Sequence, residues 1–302
     1  MIGAVISFLF LIAGLVFQRK AGFPTEKAIS FVNFYLFNLV LPALALLYIP
    51  QIKPGWDLLI PISAAWLTFL LSWLLFGTLG KIFHWSKQVT GCLAIVAGLA
   101  NTSFLGFPVV EALYGKSGLP IALLIDQGGS FLLVSSLAIV IGSIYSHQSG
   151  RLREIPLKII KFPPFGFLVG TLIMSLLGWK TPEFLMPFLT LVGKTMAPMA
   201  LLAIGLRFRI EKADLTSQYF WYGLAYRLVF APLLVYLIYS NFMDTEGLTF
   251  KVTVLESGMA PMITGSIVAI NYNLAPRLAA LLSGLGMIIS LFSLTIWYFF
   301  LG

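Results

Sequence analysis

Apolar runs of roughly 18 to 26 residues, the length of a bilayer-crossing helix, follow one another along the entire chain with only short polar connections between them. A chain of this kind must satisfy its backbone hydrogen bonds without water, and helices do so within each segment. The alternative of a water-soluble globule fails on charge. Of 302 residues only 10% are charged and 59% are hydrophobic, with a mean hydropathy of +0.97, whereas a soluble domain carries about 25% charged residues. The pattern predicts an all-α integral membrane protein with ten spans: 2–17, 28–49, 58–80, 88–113, 119–146, 163–178, 183–206, 217–240, 248–272 and 276–300. The opening MIGAVISFLFLIAGLVFQRK has no basic residue before its apolar core and no small-residue cleavage site, so it reads as a first span and not as a cleaved signal.

The net charge of +8 does not indicate nucleic acid, because the basic residues lie between apolar runs and not on one polar face. Basic residues in short loops instead mark the cytoplasmic side. The odd-numbered loops hold thirteen: Arg19, Lys20, Lys27, Lys81, Lys87, Arg151, Arg153, Lys158, Lys161, Arg207, Arg209, Lys212 and Arg277. The even-numbered loops hold four: Lys53, Lys116, Lys180 and Lys251. The bias predicts cytoplasmic odd loops and both termini extracytoplasmic, in the cell membrane.

The most basic connection, at 147–162, divides the chain into 1–146 and 163–302, five spans in each part. Sliding one part over the other at an offset of 156 brings Gly14 onto Gly170, Thr25 onto Thr181, Pro42 onto Pro198, Gly91 onto Gly247, Pro120 onto Pro276 and Gly128 onto Gly284. An odd number of spans per part makes the second repeat enter from the opposite side. That is an inverted-topology repeat, a construction common among secondary transporters.

Spans 4 and 9 occupy equivalent places in the two parts. Span 4 carries Asn101, Thr102 and Ser103 before Gly106 and Pro108; span 9 carries Glu256, Ser257, Gly258 and Met259 before Pro261 and Gly265. At the repeat offset Asn101 faces Ser257. Glycine and proline beside polar residues in the middle of an apolar run predict an interrupted helix, and exposed backbone at that depth is tolerated only where it lines a cavity or meets an ion. The alternative is a pair of proline-kinked structural helices.

The segments NTSFLGFPVVEALYG (101–115), LVLPALALL (39–47) and ESGMAPMITGSIVAINYNL (256–274) resemble the auxin efflux carrier family. The resemblance extends over the whole chain and is specific in spans 2, 4 and 9. It implies a fold like that of the bile-acid/sodium symporters: two inverted repeats, with helices 4 and 9 broken and crossing. Helices 1, 2, 6 and 7 would form a scaffold, possessing a homodimer interface, and helices 3–5 and 8–10 a transport domain. The short connection after span 5 differs from the large hydrophilic loop of the long plant carriers and is similar to compact prokaryotic members.

Ionisable groups inside a membrane are costly and call for individual explanation. Glu256 is either a neutral acid bonded to a neighbouring helix, or a cation ligand or proton carrier. Asp126 is either its acidic partner or a residue of the outer interface. Lys194, four residues before Pro198, either attracts a substrate carboxylate or pairs permanently with Glu256 or Asp126; its repeat mate is Asn38. Arg227 either forks onto a carboxylate or forms a structural ion pair.

With the resemblance, these residues imply a secondary transporter for a small organic anion, auxin-like or a dicarboxylate. The expected substrate site is Asn101, Thr102, Ser103, Pro108, Ser257, Gly258, Met259 and Pro261, with Lys194 and Asn38. Coupling falls to Glu256, Asp126 and Asn101, with a proton or a sodium ion at Glu256 and Asn101; no other cofactor is expected. A cation/proton antiporter of the same architecture and a non-transporting receptor are the alternatives. An enzyme is not expected, since no HExxH, Walker A or GxSxG pattern occurs and the one cysteine and two histidines exclude most metal centres.

Overall fold

A computed structural model describes residues 2–20, 22–51, 59–146, 163–207 and 217–302. The expected linker 147–162 with its basic residues, and Lys53, Arg209 and Lys212, lie outside the described residues, as does the Arg207 side chain. The described chain is helical, with one isolated β-bridge. Six helical stretches among the described residues are long and apolar enough to cross a bilayer: Thr25–Tyr48, Leu59–Ile82, Leu119–Tyr145, Glu183–Leu206, Gln218–Tyr239 and Pro276–Leu301. The last of these helices exposes large apolar side chains, Phe292 and Phe299 being 71% and 76% exposed, as a face toward lipid or another protein does.

The chain divides into two compact units. The first comprises residues 1–58, 103–123 and 160–209. Its helices are α1 (Ile2–Arg19), α2 (Thr25–Tyr35), α3 (Leu41–Tyr48), α6 (Phe107–Tyr114), α10 (Pro163–Leu176), α11 (Met186–Gly193) and α12 (Met196–Arg207). Glycine brings α1 and α12 together: a Cβ on Gly14 would lie 2.6 Å from the carbonyl oxygen of Leu202 and 2.8 Å from the Cα of Gly205. Backbones approach this closely only where no side chain intervenes, the usual device of helix pairs in lipid. Thr181 donates to the Leu46 carbonyl at 2.5 Å, fixing the start of 183–206 against α3.

The second unit comprises residues 59–102, 124–159 and 210–302. It contains α4 (Leu59–Ile82), α5 (Lys87–Val96), α8 (Leu132–Ser135), α9 (Leu137–Tyr145), α13 (Gln218–Ala225), α14 (Ala231–Tyr239), α15 (Leu248–Ser257), α16 (Ile263–Asn271) and α17 (Pro276–Leu301). The short α7 (Leu119–Ile125) spans the division between the units in sequence. Helix α5 starts at Ser86, whose hydroxyl accepts from the Val89 N–H at 3.3 Å, an N-cap. Every residue from Thr90 to Val96 is buried, so α5 is surrounded on all sides. Gly91 and Gly142 admit Tyr145 and Tyr272 against α5 and α9.

Proline shapes the long helices in a repeated way. Wider π-helical turns cover Leu36–Val40, Thr102–Gly106 and Tyr226–Phe230, and each is followed within two residues by Pro42, Pro108 or Pro232. A proline ring clashes with the carbonyl four residues back and has no N–H to give it. A π turn moves that carbonyl aside and lets the helix continue. A fourth such turn, Asp126–Phe131, contains Gly128 and Gly129, against which Ile62 and Ala65 of α4 pack at a distance no Cβ would allow.

Candidate functional site

In the second unit two helices stop at mid-course and meet. Helix α5 ends at Val96 and α15 at Ser257. Their extended continuations pair antiparallel at Ala100 and Pro261: the Asn101 N–H donates to the Ala260 carbonyl at 2.8 Å and the Met262 N–H to the Leu99 carbonyl at 2.9 Å. Gly98 is needed here, since a Cβ would come within 2.9 Å of the Phe69 ring and 3.0 Å of Ser72. Gly258 lies against Pro232, and Pro261 against Gly286. The interruptions therefore satisfy part of their backbone by pairing with each other, a solution in keeping with the prohibition on bare backbone in lipid.

Further carbonyls of both interruptions are served by Arg227, which is fully buried. Its Nη1 donates to the Gly98 carbonyl at 2.8 Å and more distantly to Ala97, and its Nη2 donates to the Ser257 carbonyl. Its described hydrogen-bond partners are backbone carbonyls of both interrupted helices and not a side-chain carboxylate. The acceptors carry no side-chain identity, so no residue pattern could have announced them.

Beside the crossing is a small cavity lined by Thr68, Thr102, Ser130, Thr253, Glu256 and Ser257 together with apolar side chains. Its volume, about 10 Å³, is near the minimum for a single water. That space fits a water, a proton-bearing group or one bare monatomic cation, and is far below the ~300 Å³ and more of sites for small organic molecules. Glu256 is fully buried and neither carboxylate oxygen has a hydrogen-bond partner. Asn101, also fully buried, has both atoms of its amide unpartnered, between Ala100 and Thr102 of the cavity wall. Buried polar groups are nearly always bonded, so the orphaned oxygens of Glu256 at the cavity mark a place for something the polypeptide does not supply; the Asn101 amide is likewise unpartnered but is not among the residues lining the cavity.

Asp126 is buried and near enough to Glu256 for the two charges to interact. One of its oxygens accepts from the Thr102 hydroxyl at 2.6 Å and the other from the Gln127 amide at 2.6 Å. It is thus a carboxyl buried within the protein. A buried carboxyl with no hydrogen-bond donor, as at Glu256, is satisfied by a proton or a cation. Among the described residues no three His, Cys, Asp or Glu side chains converge, and the oxygen ligands that Glu256 and the cavity hydroxyls offer suit a hard cation better than a soft transition metal.

Of the other expected site residues, Ser257, Gly258, Met259 and Pro261 belong to the crossing in the second unit, whereas Ser103, Pro108, Asn38 and Lys194 belong to the first. Ser103 is buried in the π turn that precedes Pro108. Asn38 is exposed, and its amide donates back to the Phe34 carbonyl at 2.9 Å. Lys194 is exposed at the end of α11, where its N–H bonds Thr190. Sequence reasoning missed Thr68, Ser130 and Thr253; the signal of Thr68 and Thr253 is a hydroxyl in an apolar run, which also fits simple back-bonding to the helix, and Ser130 follows the polar Asp126-Gln127 and two glycines.

Residues 2–298 match a family described as membrane transport protein. An "Uncharacterized transporter" of Methanothermobacter thermautotrophicus is 28% identical over 97% of this chain and 96% of its own length. "Uncharacterized transporter MJ1031" of Methanocaldococcus jannaschii is 28% identical over 72% of this chain and 71% of its own. "Uncharacterized transporter YfdV" of Escherichia coli is 27% identical over 69% of this chain and 66% of its own.

Proposed function

Because the chain belongs to the membrane transport protein family, that of the auxin efflux carriers, and is a multi-pass membrane protein, we propose that it is a secondary transporter moving a small organic anion by alternating access. The observation that carries the coupling part of this reading is the unpartnered carboxylate of Glu256 beside a cavity of about 10 Å³ at the crossing. In this reading Glu256 takes the coupling proton or sodium ion, Asp126 raises its appetite for positive charge, and Asn101 lends the cation its amide oxygen. The anion binds elsewhere along the crossing, where the N-terminal end of α16 offers a positive dipole end and Ser257, Gly258 and Met259 offer backbone.

The architecture proposed with this function has ten crossings in two inverted repeats, 1–146 and 163–302. Helices 1, 2, 6 and 7 act as scaffold and homodimer interface, and helices 3–5 and 8–10 move. Both termini face out of the cell membrane. The cation/proton antiporter stands as a second reading, favoured by one observation: the cavity is acidic and admits only a water-sized body.

Uptake of labelled dicarboxylates and of indole-3-acetate into proteoliposomes, with and without a sodium or pH gradient, tests the proposal. Gradient-dependent accumulation of either anion is the expected result. Cation or proton flux with no movement of any organic anion tested would overturn it in favour of the antiporter.

A further inference from the structure

Two half-helices, α5 and α15, direct their C-terminal ends at one spot. Each brings the negative end of its dipole and carbonyls stripped of their usual donors. Ala97 would normally accept from Asn101, whose N–H goes across to Ala260. Ser257 would accept from residue 261, which is a proline and has no N–H. Carbonyls freed at half-helix C-termini inside a membrane are the ligand set of a monovalent cation. Here the position is filled by the guanidinium of Arg227, bonded to Ala97, Gly98 and Ser257 and shut off from solvent. An arginine on an ordinary structural ion pair would face a carboxylate. This one is bonded to backbone from both interruptions at once, as a bound metal ion would be.

We propose that Arg227 is a resident cation: a covalently tethered guanidinium that permanently occupies the carbonyl cluster of the crossing, leaving Glu256 as the exchangeable cation position. The first part stands on the hydrogen bonds alone, and the second rests on the transport reading given above. The cycle then never has to fill or empty the carbonyl cluster. The two interrupted helices stay joined in every state, and only the charge at Glu256 changes.

Chemical rescue tests this. Thermal unfolding of the purified full-length protein in detergent would be followed for wild type, Arg227→Ala, Arg227→Met and Arg227→Lys, each with millimolar guanidinium or choline chloride at matched ionic strength. Wild type should be indifferent to the choice of salt. Arg227→Ala should unfold at a lower temperature and recover saturably with guanidinium but not with choline; at ten times the dissociation constant the apparent unfolding constant should fall roughly tenfold. Arg227→Met, which fills the space without charge, should remain low and unrescued. If Arg227→Ala cannot be purified, Arg227→Lys must unfold at a higher temperature than Arg227→Met. Rescue should persist with Glu256→Gln added, which separates this position from the Glu256 cavity. Wild-type stability in Arg227→Met, absence of guanidinium rescue, or equal behaviour of the Lys and Met variants would each overturn the proposal. Unfolding needs no substrate, so a failure to observe transport leaves this test intact and is distinguishable from it.

Discussion

The indole N–H of Trp297 donates to the carbonyl of Leu228 at 2.9 Å, the carbonyl that Pro232, four residues on, has no N–H to serve. The π turn over Tyr226–Phe230 moves this oxygen aside, and α17 brings a donor to it. The same logic joins Trp66 to the Gly128 carbonyl at 3.0 Å, in the glycine-containing π turn of Asp126–Phe131. Tryptophan is suited to the task because its single donor sits on a large apolar body.

Trp297→Phe should therefore lower stability by about 1 kcal/mol, the usual scale for a hydrogen bond between membrane helices. An aromatic ring is retained, while the donor is lost together with the second ring of the indole. Thermal unfolding in detergent measures this, and an unchanged midpoint would show that the Leu228 carbonyl finds another donor.

Gly205→Val should disrupt the first unit. Its Cβ would run into the Leu11 carbonyl and lie 2.9 Å from the Gly14 Cα, and such overpacking costs about 1–3 kcal/mol or more. Loss of folded yield with the Glu256 cavity chemically untouched is the expected pattern. Gly170→Ala is the control, because nothing lies within 4 Å of a Cβ there. Equal yields of the two variants would refute the close-approach argument.

Glu256→Gln removes the charge beside the cavity and keeps the shape. Gradient-driven uptake should collapse, while exchange of substrate across the membrane should persist if the acid carries a proton, because the amide mimics its neutral form. If it binds sodium, the variant should lose the stabilisation that sodium gives wild type. Asp126→Asn should weaken cation dependence less than Glu256→Gln, since Asp126 already has donors in Thr102 and Gln127. A Glu256→Gln protein that responds to substrate, sodium and pH as wild type does would remove Glu256 from coupling.

Asn101→Ala should reduce flux by about tenfold or more, equivalent to about 1.4 kcal/mol in the rate-limiting barrier, while leaving the unfolding midpoint nearly unchanged. Its side chain makes no hydrogen bond in the resting fold, and its N–H, which holds the bridge to Ala260, survives the substitution. Loss of stability together with flux would make the residue structural.

Topology is accessible to cysteine labelling because the one native cysteine, Cys92, is fully buried and gives little background. Arg151→Cys should be shielded from an impermeant reagent added outside cells, and Lys53→Cys should react. The reverse pattern would invert the proposed orientation.

The helical segments were legible because apolar length is a local signal, whereas the π turns before Pro42, Pro108 and Pro232 were not read from the prolines. Asn101 and Glu256 stood out as polar groups next to glycine and proline in apolar runs, and both lie at the interruptions. Arg227 was visible as a charge but not as a clamp, since its acceptors are main-chain oxygens far away in sequence. The small size of the cavity was likewise hidden, because it depends on how α4, α15 and the turn at 126–131 close around Glu256. Span 4, expected as an interrupted helix, divides between the two compact units after Thr102.

Arg227 and Gly98 are 129 residues apart, and this separation has a consequence for biogenesis. A growing chain that has just delivered α5 to the membrane holds carbonyls whose donor has yet to be made. At the usual pace of about 5–20 residues per second, roughly 6–25 s pass before the arginine emerges. Until then the first interruption must be sheltered by water, lipid headgroups or the insertion machinery, so the nascent protein is most vulnerable to misassembly and proteolysis between the birth of these two residues.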